Sequence, residues 1–487
     1  MSRWMIGVAG LALVACSGQA PQPEADTVPM QAPSADRAVA SDITPDIRAI
    51  LDASAASNPG FDVVEGLTTE VGQRLAGTEA EARARDWTVA AFEDLGLQNV
   101  RIEPFTISGW ERGVEEATII SPYPQQMLIT ALGGSVATPQ GGIESDVINF
   151  PTFDDLENAP EDGLEGKIVY IGGRMDKAPD GAGYGPANRK RRSGASEAAK
   201  RGAAAVIIRS VGTDSHRFPH TGQMRYADDL PKIPIGALSA PDADQIERMF
   251  ARGQDVRMRL TMTPVATGDR PSGNVIGEIV GSERPEEIVL IAGHLDSWDL
   301  GTGAIDDGAG IGISAGAAKV ILDAGLRPKR TIRVVAFGAE EVGLLGAFAY
   351  AERHADDLED HVLATESDFG AEPPYEVQAS VGEGREVIER AARIMDLPMS
   401  DRPTSGGPDI IPLSNAGVPA MRFQQDGTDY FDLHHTPDDT LDKIDPEDIR
   451  TNVTAFAVMA WLAAQAETDF RADEGPDDDD TLNTPGQ

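Results

Sequence analysis

The chain predicts an α/β fold, a three-layer α/β/α sandwich around a mostly parallel sheet with a separate β-rich module inserted in it. Three observations lead there. From Asn274 onward, short apolar β-branched runs alternate with segments of helical spacing. Between Ser121 and Thr263 the texture changes to short strands and one or two helices, without clustered histidines or carboxylates. The 487 residues are ample for one large domain plus an insert.

The elements follow in order. Ile47 to Ala56 and Ala80 to Leu95 carry apolar residues at helical spacing, the second with Thr78 as N-cap and Gly96 as its stop. Asn99 to Phe105 alternates as a strand. In the middle region Lys167 to Ile171 is a short strand, and a helix around Ser196 to Arg201 leads into the apolar Gly202 to Ile208. The basic run Arg189-Lys190-Arg191-Arg192 follows the Gly-rich stretch ending Tyr184-Gly185-Pro186 and reads as a solvated loop.

Asn274 to Val280 and Glu287 to Ala292 are then strands, and Asp307 to Ala324 is a helix whose Gly308, Gly312 and Gly316 share one face, suited to lying close to a sheet. Thr331 to Phe337 reads as a buried strand, Glu341 to Arg353 as a helix and Val362 to Glu366 as a strand.

In open α/β sheets ligands bind beyond the carboxyl ends of strands, where His294, Glu340, Glu341 and Asp368 fall. His294 directly follows a strand, and Asp296, two residues on, is placed to accept from its second ring nitrogen. Asp306 and Asp307 are flanked by glycines at a helix start, where one aspartate alone would serve as a cap. Glu340 and Glu341 are adjacent carboxylates after a buried strand and repel one another unless cations or protons intervene. His434 and His435 precede Asp438 and Asp439, with Asp439 and Thr440 placed to brace their loop. Two histidines and several carboxylates are the hard-to-borderline donors that a pair of divalent ions takes.

Composition excludes other chemistries. A formal net charge of −39 argues against a nucleic-acid partner. Cys16 is the only cysteine, so neither a disulfide framework nor a thiolate metal site is available. Arg3 precedes an apolar run from Trp4 to Val14 that is too short to span a bilayer and has the layout of a secretory signal. Leu13-Val14-Ala15-Cys16 resembles the bacterial lipobox, which implies a signal peptide at 1–16, lipidation of Cys16 and secretion across the inner membrane. Ser17 in that context implies the outer membrane, facing the periplasm. Residues 17–42 read as a disordered tether and 471–487 as a disordered acidic tail.

His-x-Asp, Gly-Ala-x-Asp-Asp, Ala-Glu-Glu-x-Gly, Glu-Ser-Asp and His-Thr-x-x-Asp-Thr occur here in the order of the di-zinc aminopeptidase family. Leu67 to Thr78, Gly293 to Asp299 and Gly325 to Thr331 resemble its carboxypeptidase Q branch, and Gly202 to Ile208 resembles a strand of the protease-associated domain. The resemblance implies a zinc exopeptidase-like catalytic domain over 43–120 and 265–470, interrupted by a protease-associated domain over 121–264. It implies two zinc ions per chain, with Asp306 bridging, His294 and Asp368 on one, Glu341 and His435 on the other, and Asp307 as the cap. Only the family register prefers His435 to His434. Glu340 would be the general base in hydrolysis of small peptides or dipeptides, with Asp296 beside it, and a homodimer is common in the branch. Two other readings share the fold: a glutaminyl cyclase-like zinc acyltransferase, which binds one zinc, and a non-catalytic receptor that has lost its metal.

Overall fold

The central apolar strands are buried almost continuously, as a sheet covered by helices on both faces requires. The computed structural model describes residues 41–471. The expected signal peptide with Cys16, nearly all of the tether and the tail beyond Arg471 lie outside the described residues. A seven-stranded sheet runs in the order Gln98–Glu111, Val265–Ile279, Arg330–Phe337, Arg284–His294, His361–Glu366, Ala420–Gln425, Pro374–Ser380.

The sheet is mixed. Parallel pairing joins the four strands from Arg330–Phe337 to Ala420–Gln425, and the three remaining pairings are antiparallel. The expectation of a mostly parallel sheet therefore describes only its middle. A parallel pair needs a crossover connection. Gln98–Glu111 and Val265–Ile279 instead carry the chain out to a second sheet and back, so they meet as a long antiparallel ribbon.

Successive side chains of the central strands enter different apolar clusters, as the two-residue strand repeat requires. Val289, Ile291, Ile332 and Val334 pack with the helices Ala309–Asp323 and Pro446–Gln465. Leu290, Ala292, Val335 and Phe337 pack with Ala347 and Tyr350 of Leu345–Arg353 and with Leu413. Helices thus cover both faces.

Helix boundaries depart from the sequence reading at the site. The helix expected from Asp307 begins at Ala309, because Asp306 and Asp307 have non-helical dihedrals. The helix expected from Glu341 begins at Leu345, because Gly343 and Leu344 both have positive φ. Gly312 and Gly316 face Gly60 of the neighbouring helix Pro59–Gly66, and not the sheet.

The second sheet has eight strands between Glu115 and Met262, in the order Gln125–Met127, Glu115–Ser121, Arg257–Met262, Ile143–Phe150, Ile168–Ile171, Ala205–Arg209, Ile235–Leu238, Ile129–Ala131. The basic run expected in a solvated loop lies on the helix Tyr184–Ala199, with Lys190 and Arg191 buried. Their aliphatic stems provide the apolar surface that a charge count does not register. No helix among the described residues is long and apolar enough to cross a membrane.

Candidate metal centre

Three strand ends, one helix start and one loop converge beyond the sheet. His294 closes its strand, and its backbone N–H donates to Asp307 Oδ2 at 2.9 Å. The other Asp307 oxygen accepts from Gly310 N at 2.9 Å, so this aspartate acts as a cap that also fastens helix start to strand end. Close approach there requires glycine, because a Cβ on Gly310 would lie 1.9 Å from the Ser367 carbonyl. Glu340 and Glu341 sit on the turn after Arg330–Phe337, Asp368 follows His361–Glu366, and His435 follows the short helix Tyr430–Leu433 with φ 62°.

His294, Asp306, Glu341, Asp368 and His435 come together in one buried cluster. His294 Nε2 lies 3.0 Å from Asp306 Oδ1 and 3.8 Å from Asp368 Oδ1. On the other side His435 Nε2 lies 2.9 Å from Glu341 Oε2 and 3.3 Å from Asp306 Oδ2. The His434 ring stacks on His435 at 3.4 Å between centroids, with its Nε2 3.8 Å from Asp306 Oδ2. Among the described residues, two trios have ligand atoms close enough to share an ion: His294, Asp306, Asp368 and Asp306, His434, His435.

Asp296 departs from its expected contact. The backbone carbonyl of Asp296, at 2.9 Å, faces His294 Nδ1, whereas its carboxylate lies 3.8 Å away. That carboxylate accepts from the backbone N–H groups of Glu340 at 2.9 Å and Glu341 at 3.3 Å. Asp296 therefore positions the glutamate pair with its side chain and the histidine with its main chain.

Electrostatics follow from crowding acids in a dry place. Burial opposes a charge on His294, yet its bond to Asp306 and the nearby Asp307, Asp368 and Glu340 hold its pKa well above the ordinary value. Burial likewise disfavours the Asp306 charge, but the bond from His294 and the nearby His435 keep its carboxyl well below the usual range. Glu340 and Glu341 are pushed well up, by burial first and then by carboxylates including Asp368 and each other's neighbourhood. Asp296 rises to about 6 and Asp439 to about 7, both mainly through burial.

Two supports escaped the sequence reading and a third acts on a different loop from the one expected. Arg74, fully buried, donates from Nε to Leu295 O at 2.7 Å, from Nη1 to Thr302 O at 2.6 Å and Gly72 O at 3.0 Å, and from Nη2 to Gly303 O at 2.9 Å. It ties together the loops bearing His294 and Asp306. The Leu67 to Thr78 stretch was the available signal, and its two glycines turn the chain, with φ 80° at Gly72 and 76° at Gly77. Asp439, expected to brace the His435 loop, accepts from Ala304 N and Ile305 N, both at 2.7 Å, and so braces the Asp306 loop. Behind Asp368, Glu366 is pushed up to about 8, by burial and then by Asp368, and its Oε2 accepts from Asp409 N at 2.8 Å.

The donors fit a divalent cation. Asp306 Oδ2 and Glu341 Oε1 are buried without a hydrogen-bond partner, and buried carboxylates left so are stabilised by a coordinated ion. Fold and site thus define a metal-dependent hydrolase of the α/β class. The model of peptidase family M28 matches residues 274–460. Carboxypeptidase Q of Bos taurus is 36% identical over 415 residues, 85% of this chain and 86% of that protein. A peptidase M28 precursor from Shewanella amazonensis SB2B, known from a crystal structure, has 45% identity and a TM-score of 0.85, over 88% of this chain and 98% of that one. The zinc aminopeptidase of Bacillus subtilis, at 21% identity and TM-score 0.62 over 86% and 98% of the two chains, shares the fold. The chain belongs to peptidase family M28 and is a metallo-exopeptidase.

Proposed function

We propose that this protein holds two zinc ions and hydrolyses small peptides or dipeptides. One observation carries the reading. The two oxygens of Asp306 face different histidines, Oδ1 towards His294 at 3.0 Å and Oδ2 towards His435 at 3.3 Å. That arrangement suits a bridging carboxylate, with His294 and Asp368 on one ion and Glu341 and His435 on the other. His435 is preferred to His434 because its Nδ1 is anchored at 3.3 Å to the Thr221 carbonyl, leaving Nε2 to bind, whereas His434 Nδ1 has no partner.

When bound, zinc supplies Lewis acidity and lowers the pKa of a coordinated water towards about 7. The chain's own groups divide the remaining work. Glu341 is committed to His435, while the Glu340 carboxylate has no hydrogen bond or ion pair among the described residues and keeps some exposure. Glu340 is thus free to take a proton from the attacking water and return it to the leaving amine. Its raised pKa lies in the direction that a proton carrier near neutrality needs. Asp296 aims it through the backbone N–H bond. Tyr184 of the second sheet's helix stacks on Phe431 beside the His434 ring, which supports reading Glu115 to Met262 as a protease-associated module walling the substrate.

Secretion and lipid anchoring at Cys16 to a membrane facing the periplasm form part of the proposal, supported by the N-terminal layout alone. The test of function uses protein lacking residues 1–40, loaded with zinc. Turnover of free dipeptides that is lost in Glu340→Gln at unchanged metal content supports the reading. A folded, zinc-loaded wild type that turns over none of a panel of free dipeptides and small peptides overturns it.

A further inference from the structure

His435 occupies a backbone conformation that a histidine adopts only when its surroundings impose it, with φ 62°. The surroundings that impose it belong to the second module. Thr221 N donates to the His435 carbonyl at 3.1 Å, and Thr221 O faces His435 Nδ1 at 3.3 Å, so one residue grips both the main chain and the ring. His220 Nδ1 lies 2.7 Å from the His434 carbonyl, and its Nε2 lies 2.7 Å from Asp214 Oδ1. Both ring nitrogens are thus engaged, and His220 N is itself held by Ser210 Oγ at 2.9 Å. Gly212 leaves room for that ring, since a Cβ there would lie 2.3 Å from it. Thr213 continues the clasp, donating from N to Phe431 O at 3.1 Å and from Oγ1 to Asp432 at 2.6 Å.

His294 is held differently. Its backbone and Nδ1 are fixed by Asp307 and Asp296, both of the domain that carries it. The two sides of the candidate centre therefore depend on different parts of the chain.

We propose that Asp214, His220 and Thr221 are positioning residues for His435, so that the second module sets the affinity of the metal on the His435 and Glu341 side. The inference rests on the two-metal reading above. Groups that orient a ligating histidine typically contribute 10–100-fold to metal affinity. The His434–His435 loop has no other donor to either carbonyl among the described residues. Without the clasp, Nε2 loses its aim at the point shared with Asp306 Oδ2.

The experiment measures stepwise zinc dissociation constants of the otherwise complete protein by chelator competition, for wild type, His220→Ala, His220→Gln and Asp214→Asn. Melting of the metal-free forms is followed in parallel. His220→Ala is expected to weaken one zinc by about 10–100-fold and leave the other within a few-fold. His220→Gln, which keeps one donor, falls between; both variants melt lower without metal because a buried hydrogen-bonded ring is lost, so the diagnostic reading is the difference between the two zincs. Asp214→Asn, the milder change, keeps the test open if His220→Ala does not fold. Unchanged affinity for both ions in a folded variant overturns the proposal. Equal weakening of both together with lower metal-free melting also overturns it, since that is general destabilisation. A wild type that binds one zinc refutes the two-metal reading instead, and the ratio of variant to wild-type affinity still reports on the clasp.

Discussion

Replacing Arg74 by methionine keeps the stem but removes every donor from a position with no solvent exposure. Three of its bonds cross between chain segments, to Leu295, Thr302 and Gly303, at 2.7, 2.6 and 2.9 Å. A hydrogen bond involving a charged group contributes about 1.5–3 kcal/mol. Removing the buried cation also relieves its own desolvation, which already lowers the Arg74 pKa, so the lower end applies and three bonds give about 4–5 kcal/mol. Arg74→Lys keeps the charge but not the fork, and is expected to lose roughly half of that because a single ammonium cannot reach all three carbonyls. Urea unfolding of the metal-free proteins reads the loss directly, and zinc competition reads its spread to the site. A loss below about 1 kcal/mol in Arg74→Met, with unchanged zinc affinity, would refute the idea that this residue welds the two loops.

Gly310→Ala forces a methyl to 1.9 Å from Ser367 O and 2.3 Å from Asp307 Oδ2; overpacking of this kind costs about 1–3 kcal/mol, so lowered melting and weaker zinc binding are expected together. Metal-free protein should lose stability as pH rises from about 5 to 8. The reason is that Glu366, raised to about 8 from 4.5, Asp439, raised to about 7, and Asp296, raised to about 6, stay protonated in the fold after the unfolded chain has ionised. The raised His294 acts in the same direction above its ordinary value, while the lowered Asp306 matters only in stronger acid. The positive charge of bound zinc would favour the ionised forms of these neighbouring carboxylates, so the loaded protein should show a flatter melting profile over the same range, and parallel profiles with and without zinc would contradict this account.

How much of this was legible beforehand depends on the range of the interaction. Strands such as Thr331 to Phe337 and the Thr78 cap, which accepts from Glu81 N, are local in cause and were readable from periodicity and side-chain type. The ordered motifs likewise placed His294, Glu340, Glu341 and Asp368 at strand ends, because a loop motif sits where its strand stops, with Asp306 at a helix start and His435 on a loop. Misreadings occurred where a contact across the chain prevailed. A run of cations is usually exposed, which predicts a solvated Arg191, whereas the helix buries it against Tyr184 beside His435. Asp439 was expected to serve its neighbours in sequence, whereas its carboxylate reaches Ala304 and Ile305. Residue types, their order and their strand-end placement were thus determined by sequence alone, since each follows from a few neighbouring residues. Which oxygen faces which histidine, which buried arginine joins the loops and which module holds His435 were decided only by tertiary structure, because those contacts join residues from 12 positions apart, for His294 and Asp306, to 221 apart, for Arg74 and Leu295.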